Sequence, residues 1–88
     1  MPKGFHLTEV RLTPTAKADY SYWQQNDPVA FEKINRMIEA AFKDPDYGIG
    51  KPERLRHQLK PTWSRRINSR DRMVYTVEKS ALVITQQR

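Results

Sequence analysis

The chain has 88 residues, 38% of them apolar, no cysteine and a formal net charge of +6. That length suits one small domain over residues 1–88 with a thin core, and the lack of cysteine excludes disulfides, cysteine-ligated metals and thiol nucleophiles. No apolar run approaches the roughly 20 residues that span a bilayer and no signal-peptide segment opens the chain, so a cytoplasmic domain with no membrane partner is expected.

Phe5, Leu7, Val10 and Leu12 form a short apolar segment with approximate alternation, which reads as a first strand. Thr13-Pro14 is an N-cap followed by proline at the first helical position. The helix it opens puts Ala16, Tyr20 and Trp23 on one face and ends at Asn26. Asp27-Pro28 repeats the signal, and Phe31, Ile34, Ile38, Ala41 and Phe42 follow at helical spacing until Asp44-Pro45 stops the second helix. The glycine- and proline-punctuated stretch 46–52 is a loop. Alternating runs over 54–59, 63–68 and 72–77 are separated by turns at 60–62 and 69–71. A third turn at 78–80 leads to an apolar strand over 82–85. Such spacing predicts an antiparallel meander. The order β-α-α-β-β-β-β predicts an α+β domain, its helices packed on one face of a mostly antiparallel sheet.

The charge is not spread evenly. Lys51, Arg54, Arg56, Lys60, Arg65, Arg66, Arg70 and Arg72 face only Glu53 and Asp71 between residues 51 and 72; the rest of the chain is balanced. A local excess of this kind points to a polyanion-binding surface, and it also suits a sheet face kept charged for solubility and edge protection. Lys51, Arg54, Arg56, Arg65 and Arg70 are the candidate RNA-binding cations. Strand alternation predicts Leu55, Leu59, Ile67, Met73, Tyr75 and Val77 toward the helices and Arg54 away from them, with Arg56, Arg66 and Arg72 together on the uncovered face. Arg65 does not share that face. A one-residue slip would reverse any of these assignments. His57 has the parity of Leu55 and is expected to be a buried, hydrogen-bonded histidine. Trp63 and Tyr75 lie among the arginines, where they fit either the core or a base-stacking platform. Glu53 follows a stiffening proline, so it reads as an ordinary surface acid or as a general base held beside a phosphate.

Other chemistries fit poorly. Two distant histidines give no metal-ligand spacing, and no metal or other cofactor is expected. Gly48-Ile49-Gly50-Lys51 lacks the glycine spacing and the following helix of a phosphate loop. No Ser/His/Asp arrangement reads as a triad.

The stretch Ala18-Asp19-Tyr20-Ser21-Tyr22-Trp23-Gln24, the segment Lys33-Ile34-Asn35, and above all GIGKPERLRHQL followed by WSRRINSRDRMVY closely resemble the YoeB/Txe-type toxins. These belong to the RelE/ParE superfamily of toxin–antitoxin systems. The resemblance covers nearly the whole chain from about Leu12 onward. It implies an α+β fold and a ribosome-dependent mRNA endonuclease that cuts the A-site codon without a metal. It matches the family's catalytic glutamate to Glu53, its active-site arginines to Arg66 and Arg72, and a further basic position to Arg56. The partners it implies are a cognate antitoxin, the ribosome with its A-site message, and a second copy in a homodimer. In relatives the last strand continues past an arginine matching Arg88 into a Tyr-His-Tyr-like ending whose histidine is the expected general acid. The chain stops at Arg88, so reduced cleavage is expected of it. Ser69-Arg70-Asp71 also departs from the more acidic turn of relatives. The alternative reading is a non-catalytic module that binds RNA, ribosome or antitoxin. GKPE and WSRR argue against the gyrase-poisoning branch of the superfamily, which generally lacks that acid–arginine set.

Overall fold

The computed structural model describes residues 6–88. Strand β1 (Glu9–Leu12) leads into helices α1 (Pro14–Asn26) and α2 (Pro28–Lys43). Four strands follow: β2 (Glu53–Leu55), β3 (Thr62–Arg66), β4 (Arg72–Glu78) and β5 (Ala81–Gln86). The fold is the expected α+β arrangement. Of the predicted first strand, Phe5 lies outside the described residues.

Both helices start as their sequences dictate. Thr13 Oγ1 accepts from Ala16 N at 3.2 Å, and Asp27 Oδ1 accepts from Ala30 N at 3.1 Å. Each cap satisfies an otherwise unpaired helical N–H, and each is followed by a proline that has none to satisfy. Ala16 and Trp23 of α1 and Ile34, Met37 and Ala41 of α2 are buried against the sheet.

The sheet runs β1-β5-β4-β3-β2. Its three hairpin-type pairs are antiparallel, and β1 pairs parallel to β5 at the far edge. The core face carries Trp63, Met73, Tyr75, Val77, Leu82 and Ile84. Trp63 and Tyr75 stack across β3 and β4 with ring centroids 5.7 Å apart. Both are fully buried, so the core reading of these aromatics holds and the base-stacking reading fails. Helix α1 is tied to the end of β5: Trp23 Nε1 donates to Gln87 O at 2.7 Å, and Gln87 N donates to Asp19 Oδ2 at 2.9 Å. Among the described residues, no helix is long and apolar enough to cross a membrane.

The structure corrects the reading of residues 54–59. Only Glu53–Leu55 is strand, and its register places Arg54 opposite Trp63 and Leu55 opposite Thr62. Residues directly opposed across a sheet share a face. Because Trp63 must face the core, Arg54 lies on the helix side and Leu55 on the other, the reverse of the parity expectation. The pairing stops where Arg56 would meet Pro61, which has no N–H to give to a ladder. Beyond that point the chain bends. His57 is exposed, with a left-handed backbone at φ 63°, and Leu59 is fully exposed. Neither reaches the core.

Candidate active site

The register brings three of the predicted residues together on the sheet face away from the helices. Glu53 on β2 lies opposite Ser64 of β3, which lies opposite Val74 of β4. Two residues along β3, Arg66 lies directly opposite Arg72. Side chains at i and i+2 share a strand face, so Glu53, Arg66 and Arg72 project from one side, with the small Ser64 between them. Arg72 Nη1 stands 4.0 Å from Glu53 Oε1, and these side chains are 41% and 69% exposed. An ion pair this long and this wet contributes little to stability, about 0–1 kcal/mol. The guanidinium can therefore leave the carboxylate for a phosphate at small cost. Among the described residues, Arg66 has no carboxylate within 4.0 Å.

Two loops set this geometry. The β3–β4 connection is closed by Asn68, whose Oδ1 accepts from Arg70 N at 2.8 Å and from Asp71 N at 2.7 Å. Ile67 N also donates to Asp71 O at 2.9 Å, so Arg66 and Arg72 are held face to face. The second loop runs from Asp44 to Pro52 and delivers Glu53. It needs left-handed backbone at Gly48, Gly50 and Lys51. At Gly50 a Cβ would come within 2.6 Å of Met37 Sδ and 3.0 Å of Arg65 Cβ. Gly50 O accepts from Arg66 N at 2.6 Å, which fixes the loop to β3 three residues before Glu53.

Arg65 cannot bind RNA as the charge pattern suggested. It is fully buried, and its guanidinium donates to Tyr75 Oη, Ile49 O, Asp44 O, Pro45 O and Tyr47 O at 2.7–3.3 Å. Its parity with Trp63 turns it inward, and loop carbonyls take the place of solvent. Tyr75 Oη donates onward to Pro45 O at 2.7 Å. Burial pushes the Tyr75 phenol up from its ordinary value of 10.0, and the hydrogen bond and charge of Arg65 partly oppose that rise. Sequence offered one signal for this role, the opposite parity of Arg65 and Arg66.

The remaining cations fall elsewhere. Arg54 lies on the helix side, its guanidinium 4.9 Å from the Trp63 ring centroid, so it is not part of the Glu53 face. Arg56 lies past the end of β2, where strand alternation no longer sets its direction. With Arg54, Leu55, His57, Gln58 and Lys60 it lines an open groove of about 560 Å³. Lys51 is exposed beside the glycine loop, and Arg70 is exposed on the β3–β4 turn, 3.7 Å from Asp71. Among the described residues, no cluster of three or more histidine, aspartate or glutamate side chains could hold a metal ion.

The family model described as "YoeB-like toxin of bacterial type II toxin-antitoxin system" matches residues 12–88. The chain belongs to this family. It is 45% identical over 76 residues to the toxin YoeB of Synechocystis sp., a match covering 86% of the chain and 88% of that relative. Among solved structures, a YoeB/ParE toxin from Agrobacterium tumefaciens superposes with a TM-score of 0.85 at 38% identity, covering 92% of this chain and 96% of that one. Two Staphylococcus aureus structures, also 38% identical, are a YoeB dimer and a heterotetrameric YoeB–YefM toxin–antitoxin complex. Their TM-scores are 0.81 and 0.80. The first match covers 91% of this chain and 93% of that one, the second 94% and 95%. The family assignment makes the chain the toxin component of a type II toxin–antitoxin system.

Proposed function

We propose that this YoeB-family toxin is an mRNA endonuclease acting on the A-site codon of the ribosome, with Glu53 as general base and Arg66 and Arg72 as phosphate ligands. The observation that carries the proposal is one carboxylate 4.0 Å from one guanidinium, with a second arginine opposite, on an uncovered sheet face. RNA supplies its own nucleophile, the 2′-hydroxyl next to the scissile phosphate. Glu53 takes the hydroxyl proton, and the oxygen attacks phosphorus. The bond to the 5′-oxygen breaks, leaving a 2′,3′-cyclic phosphate. Negative charge that builds on the phosphoryl oxygens falls between Arg66 and Arg72. The nucleophile is already attached, so much of the barrier is lowered by positioning. The departing 5′-oxygen takes up a proton from solvent, and Glu53 returns its own proton to solvent. No metal enters the reaction as written.

The proposed partners follow from the same face. The ribosome presents the codon, and Lys51, Arg56 and Arg70, exposed elsewhere on the surface, add attraction for phosphates. An antitoxin segment bearing acidic side chains covers the face and blocks it, as charge complementarity favours. These roles place the chain in the cytoplasm.

The test is cleavage of A-site mRNA on programmed ribosomes. Glu53→Gln and Arg66→Ala should each lower cleavage by at least about 10²-fold, with ribosome binding retained by Glu53→Gln. Unchanged cleavage by Glu53→Gln would remove it as the base. A wild-type chain that binds ribosomes and cuts nothing would favour the non-catalytic module.

A further inference from the structure

We infer that Arg65 and Tyr75 form a positioning pair that sets Glu53 for the reaction from beneath the sheet. The inference rests on the endonuclease reading above. Arg65 and Arg66 are adjacent on β3 and act on opposite faces. Arg66 presents its guanidinium to the site while its N–H holds Gly50 O at 2.6 Å. Arg65 reaches through the core and gathers four carbonyls of the loop that leads to Glu53, those of Asp44, Pro45, Tyr47 and Ile49. Tyr75 closes the pair: its hydroxyl accepts from Arg65 Nε and donates to Pro45 O, both at 2.7 Å.

The loop does not hold this shape by itself. It is neither helix nor strand from 44 to 52, and Gly48, Gly50 and Lys51 take left-handed backbone at φ 114°, 88° and 51°. Four carbonyls aimed at one point repel each other unless a cation sits there. A guanidinium has five donors in a rigid plane and can serve several acceptors at once. An ammonium has three donors and no fork, so lysine cannot replace it. Glu53 follows the last left-handed residue by two positions. A small change in the path of the loop therefore moves its carboxylate relative to Arg72, whose Nη1 already stands 4.0 Å away. Misplacement on the scale of 1 Å typically reduces catalysis by about 10²-fold.

The deciding variant is Tyr75→Phe, which keeps the ring stacked on Trp63 and removes only the hydroxyl. Arg65→Lys is the companion; should it fail to fold, Tyr75→Phe decides alone. Two quantities are read on the whole chain. One is amide hydrogen exchange at Arg66, Asp46 and Tyr47, whose N–H groups are bonded to or within the loop, against the β4–β5 ladder. The other is kcat and KM for cleavage on programmed ribosomes. Exchange at the loop and at Arg66 should rise about tenfold while β4–β5 stays protected. In parallel kcat should fall about tenfold or more, with KM within about twofold. A purely structural role predicts that loop and ladder exchange rise together and that kcat per folded molecule is unchanged; that result overturns the pair's positioning role. So does a loosened loop with unchanged kcat. A wild-type chain that does not cut overturns the endonuclease reading and the positioning role with it. The exchange contrast then still reports whether the clamp exists, so the two failures are told apart.

Discussion

Replacing Arg66 by glutamine should make the protein more stable while it abolishes the proposed activity. Arg66 and Arg72 are directly opposed across β3 and β4, and like charges so placed destabilise a sheet. Opposed Cβ atoms lie about 5 Å apart, and two guanidinium centres splayed to about 7 Å repel by about 0.6 kcal/mol at the dielectric of water. Glu53 lies close to Arg72, so it offsets that charge more than the charge of Arg66. Arg66→Gln keeps most of the side chain and removes the repulsion. The expected gain is about 0.5 kcal/mol, or about 2–4 °C in Tm for a domain of this size. Urea denaturation at low salt measures it. In 1 M salt the Debye length falls to about 3 Å, and the gain should vanish. Arg36→Gln, on the exposed side of α2, controls for the general relief of net charge. A loss of stability in Arg66→Gln at low salt, or a gain that persists unchanged in 1 M salt, would rule out repulsion between the two arginines.

Three further outcomes are expected. Gly50→Ala forces left-handed backbone on a residue with a Cβ and drives that atom to 2.6 Å from Met37 Sδ; the two penalties together give a loss of about 2–4 kcal/mol in urea denaturation. A loss under about 1 kcal/mol would contradict the packing argument. Thr13→Ala removes the α1 cap and the hydroxyl bond to Thr85 O at 3.1 Å, so a loss of about 1–2 kcal/mol is expected, and a change under about 0.3 kcal/mol would be inconsistent with it. The raised Tyr75 phenol means that above about pH 10 the unfolded chain releases a proton that the native state keeps. Stability is therefore lost as pH rises from there through the native value. Urea midpoints between pH 8 and pH 11 should fall less steeply in Tyr75→Phe than in wild type, and parallel curves would refute the assignment.

Much of the fold was legible because its signals are local. Thr13-Pro14 and Asp27-Pro28 carry their caps in two residues each, the turn at 69–71 lies between alternating runs, and the turn at 78–80 leads from one into an apolar strand. The parallel pairing of β1 with β5 was not legible, since no local pattern records which distant strand an edge will meet. At the site, Arg66 and Arg72 were placed correctly because β3 and β4 alternate around large core residues. Arg54, Leu55, His57 and Leu59 were misplaced because β2 is three residues long and takes its register from Trp63. A short strand has too few side chains to declare its own face. Arg65 shows the opposite limit: composition counts it as a surface cation, and only the loop carbonyls and the Tyr75 hydroxyl around it make burial tolerable.

The parallel pair at the sheet edge also times the protein's birth. Thr8 N bonds to Ser80 O, a separation of 72 residues along the chain. At about 5–20 residues per second of synthesis, several seconds pass between the making of β1 and the arrival of its partner. During that interval the two helices have no finished sheet to cover, and β4 lacks the strand that forms its other border. The face bearing Glu53, Arg66 and Arg72 thus gains its full support only once β5 has been made.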